Sequence, residues 1–343
     1  MIEQKKENQK QKPTNFDEVE ISLGTEVYQP ANIDVEKALK SRGFSNIEFL
    51  GKGWSSEAYG AEFDGKDCII RVPALGGSGI STYLTEHAIL EFIADKIKSV
   101  RIPKTYICRS DDLIYVVHEK IAGNQFDVNS FEKFETLSPI EQENFSRSVA
   151  SFLAELHSID ISEFPDIKYI SWGKLSSDCV RSSFERYHKF CESEGWGSDL
   201  IFSQQEIDKF CNIVDLVTNI DEPEVLLHRD FYAKNFVVDD EMRLIGVFDF
   251  GNSSVANRAI EFNTFVKQND DGTFSEPLML KKILNHYQQA SGVLVTFNDI
   301  VNQVKLGHGY VFTWLVSSDE VINNNKDKLK DCVVKIKRWL DRE

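Results

Sequence analysis

The chain has 343 residues, 41% hydrophobic and 27% charged, which suits one large domain or two lobes with separate cores. Lysine and arginine number 39 against 55 aspartates and glutamates, a net charge of −16. Nucleic acid and anionic membrane are bound through basic surface, so both are poor partners for it. A cationic small molecule is compatible with that charge, and so is plain solubility.

The six cysteines, Cys68, Cys108, Cys179, Cys191, Cys211 and Cys332, are scattered without a C-x-x-C pair. That spacing argues against zinc or redox chemistry and for buried structural thiols. No apolar leader follows Met1, and no apolar run reaches bilayer-spanning length. The expectation is a soluble, cytoplasmic, reduced monomer.

Residues 1–15 are rich in Lys, Gln, Glu and Asn and read as a disordered lead. Asp34 to Arg42 reads as a short helix stopped by Gly43. Ile47 to Leu50, the loop Gly51-Lys52-Gly53-Trp54-Ser55-Ser56, and Glu57 to Phe63 read as strand, glycine loop, strand. Asp64-Gly65 signals a two-residue hairpin, and Asp67 to Pro73 is a third strand carrying the cation Arg71. Backbone N–H groups of a glycine loop approach phosphate oxygens closely because no Cβ intervenes, and a cation on the next strand then pairs with them. Taken singly, the loop is an ordinary hairpin and Arg71 a strand-edge charge reaching water.

Ser81 to Ile97 has apolar residues at helical spacing, and its phase points Glu86, rather than Glu91, toward the sheet. Lys104 to Arg109 and Leu113 to Lys120 are two further strands joined by Ser110-Asp111-Asp112. Ile121-Ala122-Gly123-Asn124 breaks the pattern, which places one lobe over 16–121 and a helical lobe over 122–343. Ser138-Pro139-Ile140-Glu141 is a capping box, and the helix after it has Phe145, Val149, Phe152, Leu153 and Leu156 on one face. His157 at its end is expected buried and hydrogen-bonded. Ser176 to Glu192 and Gln204 to Val217 read as helices.

Leu226 to Gly251 concentrates the chemistry. His228-Arg229-Asp230 with Asn235 spells H-R-D-x-x-x-x-N, and Asp249-Phe250-Gly251 follows after two strand-like runs joined by Asp239-Asp240-Glu241. Either cluster alone is a charged turn or a strand end; the ordered pair is the set of parts used for phosphoryl transfer. Asp230 is the candidate catalytic residue facing an acceptor hydroxyl. Asn235 and Asp249 are candidate Mg²⁺ ligands, because hard cations take carboxylate and amide oxygens. Beyond this stretch, a helix is expected to begin near Phe262. A polar break follows at 268–272, then helices over Leu278 to Gln289, Asp299 to Leu315 and Val321 to Leu340.

These pieces resemble the aminoglycoside phosphotransferase family, a small-molecule branch of the protein-kinase-like fold. The resemblance runs from about Gly43 to beyond Tyr287 on LGKGWSSEAYGAEFDGKDCIIRVP, VVHEKIAG, FLAELHSIDIS, LLHRDFYAKNF, IGVFDFGNS and ILNHY. It implies an α+β, two-lobed fold with an antiparallel β-sheet N-lobe, one main helix there, and a mostly helical C-lobe. It also implies Asp230 as base or hydroxyl orienter, with Asn235 and Asp249 as metal ligands. Nucleotide contacts are implied at Gly51, Gly53, Ser55, Ser56, Arg71, Glu86, His118, Glu119 and Lys120. Asp270, Asp271 and Glu261 are the acids on the acceptor side.

The sequence departs from the family's pattern in four places. Arg71 stands for the usual lysine, Ser56 for the third loop glycine, and Glu261 for an aspartate, and Arg229 occupies a position that is usually small. The expected activity is Mg²⁺-dependent transfer of phosphate from ATP or GTP to a hydroxyl of a small molecule, aminoglycoside-type or related. The competing readings are a protein kinase, disfavoured by the short stretch after Gly251, and a nucleotide-binding module without turnover.

Overall fold

The computed structural model describes residues 34–53, 56–73, 77–109, 113–126, 131–163, 175–218, 222–269 and 271–341. The lead over 1–15, Trp54, Ser55, the 110–112 turn and Asp270 lie outside the described residues. The chain divides into two compact units, one running to Glu91 and including Pro103–Ile121, the other comprising Phe92–Ile102 and Ala122 onward.

In the first unit, Asp34 caps α1 (Val35–Ser41) by accepting the Lys37 N–H at 3.0 Å. Strands β1 (Ser45–Lys52), β2 (Ser56–Phe63), β3 (Lys66–Pro73), β4 (Thr105–Arg109) and β5 (Ile114–Glu119) form an antiparallel sheet in the order β1-β2-β3-β5-β4. Asp64 and Gly65 both adopt left-handed backbone, with φ of 50° and 70°, as the tight β2–β3 turn demands. One hydrophobic cluster joins Leu39, Phe44, Ile70, Cys108 and Val117. A second joins Tyr83 and Leu84 of α2 (Gly77–Ile93) to Ile107, Ile114 and Val116. The α2 helix starts before the expected Ser81, because Gly77-Ser78-Gly79 reads as a breaker in sequence yet sits inside the first turn.

The run 92–102 is bonded within the second unit. Arg101 N–H donates to Ile245 O at 2.9 Å, and Val247 N–H donates back to Arg101 O at 3.1 Å. The N–H groups of Lys98 and Ser99 donate to Glu155 Oε2 at 2.8 and 2.9 Å. Glu155 belongs to α4 (Pro139–His157), whose capping box is formed reciprocally by Ser138 and Glu141. The α4 helix packs on α7 (Leu278–Ser291), with α3 (Phe131–Glu135) alongside α7.

Three short antiparallel pairs decorate this layer. They are β6 (Val225–Leu227) with β9 (Ser254–Ala256), β7 (Phe236–Val238) with β8 (Leu244–Val247), and β10 (Lys267–Gln268) with β11 (Phe274–Ser275). Gly123 lies against β7, where an added Cβ would stand 2.7 Å from Val237 Cβ, so a larger residue there would push the strand away. A separate aromatic-rich core unites α5 (Ser177–Glu194), α6 (Gln204–Thr218), α8 (Phe297–Leu315) and α10 (Lys326–Leu340) through Phe184, Tyr187, Phe202, Phe210, Phe312 and Trp339. Where α8 meets α6, Gly309 lets Phe210 approach to 2.6 Å of where a Cβ would stand.

Two expected elements are corrected. The final helix is broken into α9 (Asp319–Asn324) and α10 at Asn325, whose φ of −134° leaves the helical region. The Asn325 amide donates to Val321 O at 2.9 Å, a side-chain bond that competes with helix continuation. The helix expected from Phe262 is a 3₁₀ run over Arg258–Phe265. Among the described residues no helix is long and apolar enough to cross a membrane. All six cysteines are free thiols, and only Cys179 is exposed.

Candidate active site

The H-R-D stretch follows β6 directly, and the chain reverses there because Arg229 takes a left-handed φ of 65°. That conformation is costly for a residue with a Cβ and persists only where surrounding bonds fix it. Glu261 supplies them. Its Oε2 accepts the His228 N–H at 2.6 Å, and its Oε1 accepts the Arg229 N–H at 3.0 Å. Burial works to raise the Glu261 pKa. His157, the His228 ring and the backbone donor act the other way, and the carboxyl sits below the ordinary glutamate range. His157 is itself driven toward its neutral form by burial. Its Nε2 lies 3.9 Å from the carboxylate, too far for a hydrogen bond, while its Nδ1 is 2.8 Å from the Tyr287 hydroxyl.

His228 is fully buried and fastens the two motifs to each other. Its Nδ1 accepts the Asp230 N–H at 3.2 Å, which makes Nε2 the protonated nitrogen, donating to Phe248 O at 3.0 Å. The Phe248 N–H donates to Asn235 O at 2.9 Å. Asp249 is the next residue, also left-handed with φ 68°, and Phe250 packs on the His228 ring at 4.5 Å. Phe231 anchors the loop from below, stacked on Phe236 at 5.0 Å and on Phe152 at 5.7 Å.

Asp230 and Asn235 meet directly. The Asn235 Nδ2 donates to Asp230 O at 2.7 Å and to Asp230 Oδ2 at 2.9 Å. Both partners are acceptors, so the amide nitrogen is fixed toward them and Asn235 Oδ1 is left for another electropositive group. Asp230 Oδ1 carries no hydrogen bond among the described residues, and the side chain is 17% exposed. One oxygen of Asp230 is therefore held and the other is open.

In the first unit, Gly51 is left-handed at φ 156° and the Gly53 N–H donates to Ser56 O at 2.8 Å. Ser56 Oγ accepts a 2.6 Å bond from the Tyr83 hydroxyl, and the Arg71 guanidinium lies 6.0 Å from the centre of the same Tyr83 ring. Ser56 and Arg71 thus share one aromatic neighbour on α2. Glu86, one turn along α2, is 1% exposed. His118 is buried on β5 between Ile69 and Thr105, Glu119 N–H donates to Lys104 O at 2.9 Å, and Lys120 pairs with Asp67 at 3.1 Å.

Of the acids expected on the acceptor side, Asp270 lies outside the described residues and the other two have the following bonds. Glu261 is 2% exposed with both oxygens bonded to backbone, a geometry that holds the loop. Asp271 closes the β10–β11 turn by accepting from Thr273 N–H at 3.0 Å and Thr273 Oγ1 at 2.6 Å. The anchoring role of Glu261 was missed in sequence, although a lone glutamate inside Ala259-Ile260-Glu261-Phe262 was its available signal.

Known proteins share this architecture. An APH(2″)-IIa structure in ternary complex with streptomycin and ATP is 20% identical, covering 88% of this chain and 97% of its own, with a TM-score of 0.63. A macrolide 2′-phosphotransferase type I is 17% identical, covering 86% and 96%, with a TM-score of 0.59. A ribosomal-protein-serine acetyltransferase of Escherichia coli K12 is 26% identical over 152 residues, 41% of this chain and 80% of that protein. That local likeness spans less than half of the chain and carries no family assignment. The sequence model of the APH family, described as the phosphotransferase enzyme family, matches residues 46–291, and the chain belongs to that family.

Proposed function

We propose that this phosphotransferase moves the γ-phosphate of ATP or GTP to a hydroxyl of a small molecule, with Mg²⁺ as the accompanying cation. The observation that carries the reading is the arrangement of Asp230: one oxygen tied to Asn235, the other open, with Asp249 joined to the same network through Phe248.

The residues present fit Mg²⁺. Asn235 Oδ1 and the Asp249 carboxylate are hard oxygen donors. This ion takes one or two protein oxygens and fills its shell with water and phosphate. Among the described residues there is no cluster of three or more His, Cys, Asp or Glu that could cage a metal alone. When bound, the ion neutralises charge on the phosphates.

The acceptor oxygen forms a bond to the γ-phosphorus as the bond to the β–γ bridging oxygen breaks, and the nucleoside diphosphate leaves with that oxygen. Asp230 Oδ1 orients the acceptor hydroxyl and receives its proton. The transition state is loose, so positioning supplies most of the rate and Asp230 need not be strongly basic. In the first unit, Arg71 is assigned to phosphate oxygens and Glu86 to orienting Arg71. A carboxylate as buried as Glu86 is stable only when paired. A protein acceptor is disfavoured, because β9 is already paired with β6 just after Gly251 and the 3₁₀ run follows at once.

The test is a coupled nucleotide-consumption assay over aminoglycosides, macrolides, choline-like amines and sugars, with Asp230→Asn beside the wild type. Turnover should fall about 10²–10⁴-fold in the variant while nucleotide binding is retained. Unchanged turnover in Asp230→Asn would remove that residue from the reaction.

A further inference from the structure

A cavity of about 440 Å³ opens between the end of α6, the middle of α8 and the 256–263 run, within the size range of small-molecule sites. Its walls are mainly apolar, with Val217, Ile260, Val304 and Leu306 among them, and Val311 at its edge is 49% exposed. Arg229, the chain neighbour of Asp230, lines its wall.

Three polar side chains stand in this wall, and two of them carry a buried atom without a partner among the described residues. Gln303 lines the cavity and is 5% exposed. Asn263 Oδ1 and His308 Nδ1 are buried without a hydrogen bond. A buried polar group without a partner costs free energy, so two such groups on residues lining one cavity, with Gln303 beside them, mark a place that a polar ligand would complete. Burial holds His308 down to about 4, so at neutral pH its ring offers hydrogen bonding and no charge. Among the described lining residues, one arginine, Arg229, stands against Glu222 and Glu224, a net single negative charge, and Glu222 already accepts a 3.0 Å bond from Asn257. A polycation would find no set of acids to match several ammonium groups.

We propose that this cavity holds the body of the acceptor, a largely apolar, hydroxyl-bearing molecule with at most one positive charge, read by Gln303, Asn263 and His308. The word acceptor rests on the phosphotransfer reading, whereas the cavity's choice of ligand does not.

Gly307 provides the test. It lines the cavity, and a Cβ built there meets nothing within 4 Å, so a side chain at this position grows into the void. Isothermal titration calorimetry on the full chain would use octyl glucoside below its micellar concentration, an uncharged amphiphile with hydroxyls, and streptomycin as the polycation. Octyl glucoside should bind the wild type, lose at least tenfold in affinity in Gly307→Phe, and lose severalfold in Gln303→Leu; streptomycin at equal concentration should not displace it. Absence of octyl glucoside binding, equal affinity in both variants, or displacement by streptomycin overturns the proposal. Because calorimetry reads binding without turnover, each of those results leaves the assignment of Asp230 to be judged separately by the Asp230→Asn assay. Should Gly307→Phe fail to fold, the Gln303→Leu comparison decides alone.

Discussion

The H-R-D loop and the cavity wall share Arg229 yet differ in how their central polar groups are bonded. Around the loop, Glu261 uses both oxygens, His228 uses both ring nitrogens, and Asn235 spends its amide donors on Asp230. Across the cavity, Asn263 Oδ1 and His308 Nδ1 have no hydrogen bond among the described residues, and Gln303 stands beside them. The bonds that Glu261, His228 and Asn235 make fix the loop's geometry, although His157 Nε2 and Ser253 Oγ beside it have no hydrogen bond among the described residues. An unsatisfied polar group is stable only at a cost, and that cost can be returned by a ligand. On the proposed reading, the first set holds the loop's geometry and the second reads a bound molecule.

The largest expected effect breaks the satisfied side. Glu261→Ala leaves the His228 and Arg229 N–H groups buried without acceptors and removes what holds Arg229 left-handed, at a cost of about 2–5 kcal/mol. Denaturant unfolding should read that loss, and turnover should fall with it. Glu261→Gln keeps one acceptor oxygen and should recover part of both. Equal stability of Glu261→Ala and wild type would show that the loop does not depend on this carboxylate.

A smaller effect is expected on the cavity side as pH falls. The folded His308 pKa of about 4 lies below the unfolded value of about 6.5, so the unfolded chain binds the extra proton between them. Stability is complete above about pH 6.5 and declines as pH drops toward 4, by up to about 3 kcal/mol for this group. His157 and Glu261, both shifted downward, act in the same direction. Unfolding measured across this range should therefore show a shallower slope in His308→Gln. An unaltered slope would mean that His308 is solvated in the native state.

The smallest effect is Gly307→Ala. Alanine replaces glycine inside α8 with open space for its Cβ, so stability should rise by about 0.5–1 kcal/mol, visible as a higher melting temperature. A fall would mean that the cavity wall cannot accommodate even a methyl group.

Much of this was legible in the letters because its signals are local. H-R-D-x-x-x-x-N, D-F-G, the Asp64-Gly65 turn and the Ser138–Glu141 capping box each specify backbone geometry over a few residues. The sheet and the helical half followed from periodicity. What escaped was made by distant pairs. Glu261 reads as an acid facing solvent or substrate until β6 and the 3₁₀ run bring it under His228. The strands β6 and β9 are three residues each, too short to declare a period. In α8, Gln303 and His308 sit in an amphipathic pattern indistinguishable from core, and only the packing of α6 and the 256–263 run reveals that they line a void. The break at Asn325 was hidden by strong amphipathic flanks on either side.

The central claim is that Asp230 handles the acceptor while Asn235 and Asp249 handle the cation, and Mg²⁺-dependent ATP binding separates the two. In a titration of ATP with and without Mg²⁺, wild type and Asp230→Asn should gain affinity equally from the ion, whereas Asp249→Asn should lose at least tenfold of that gain. Retention of the full Mg²⁺ effect in Asp249→Asn, or its loss in Asp230→Asn alone, would contradict the assignment.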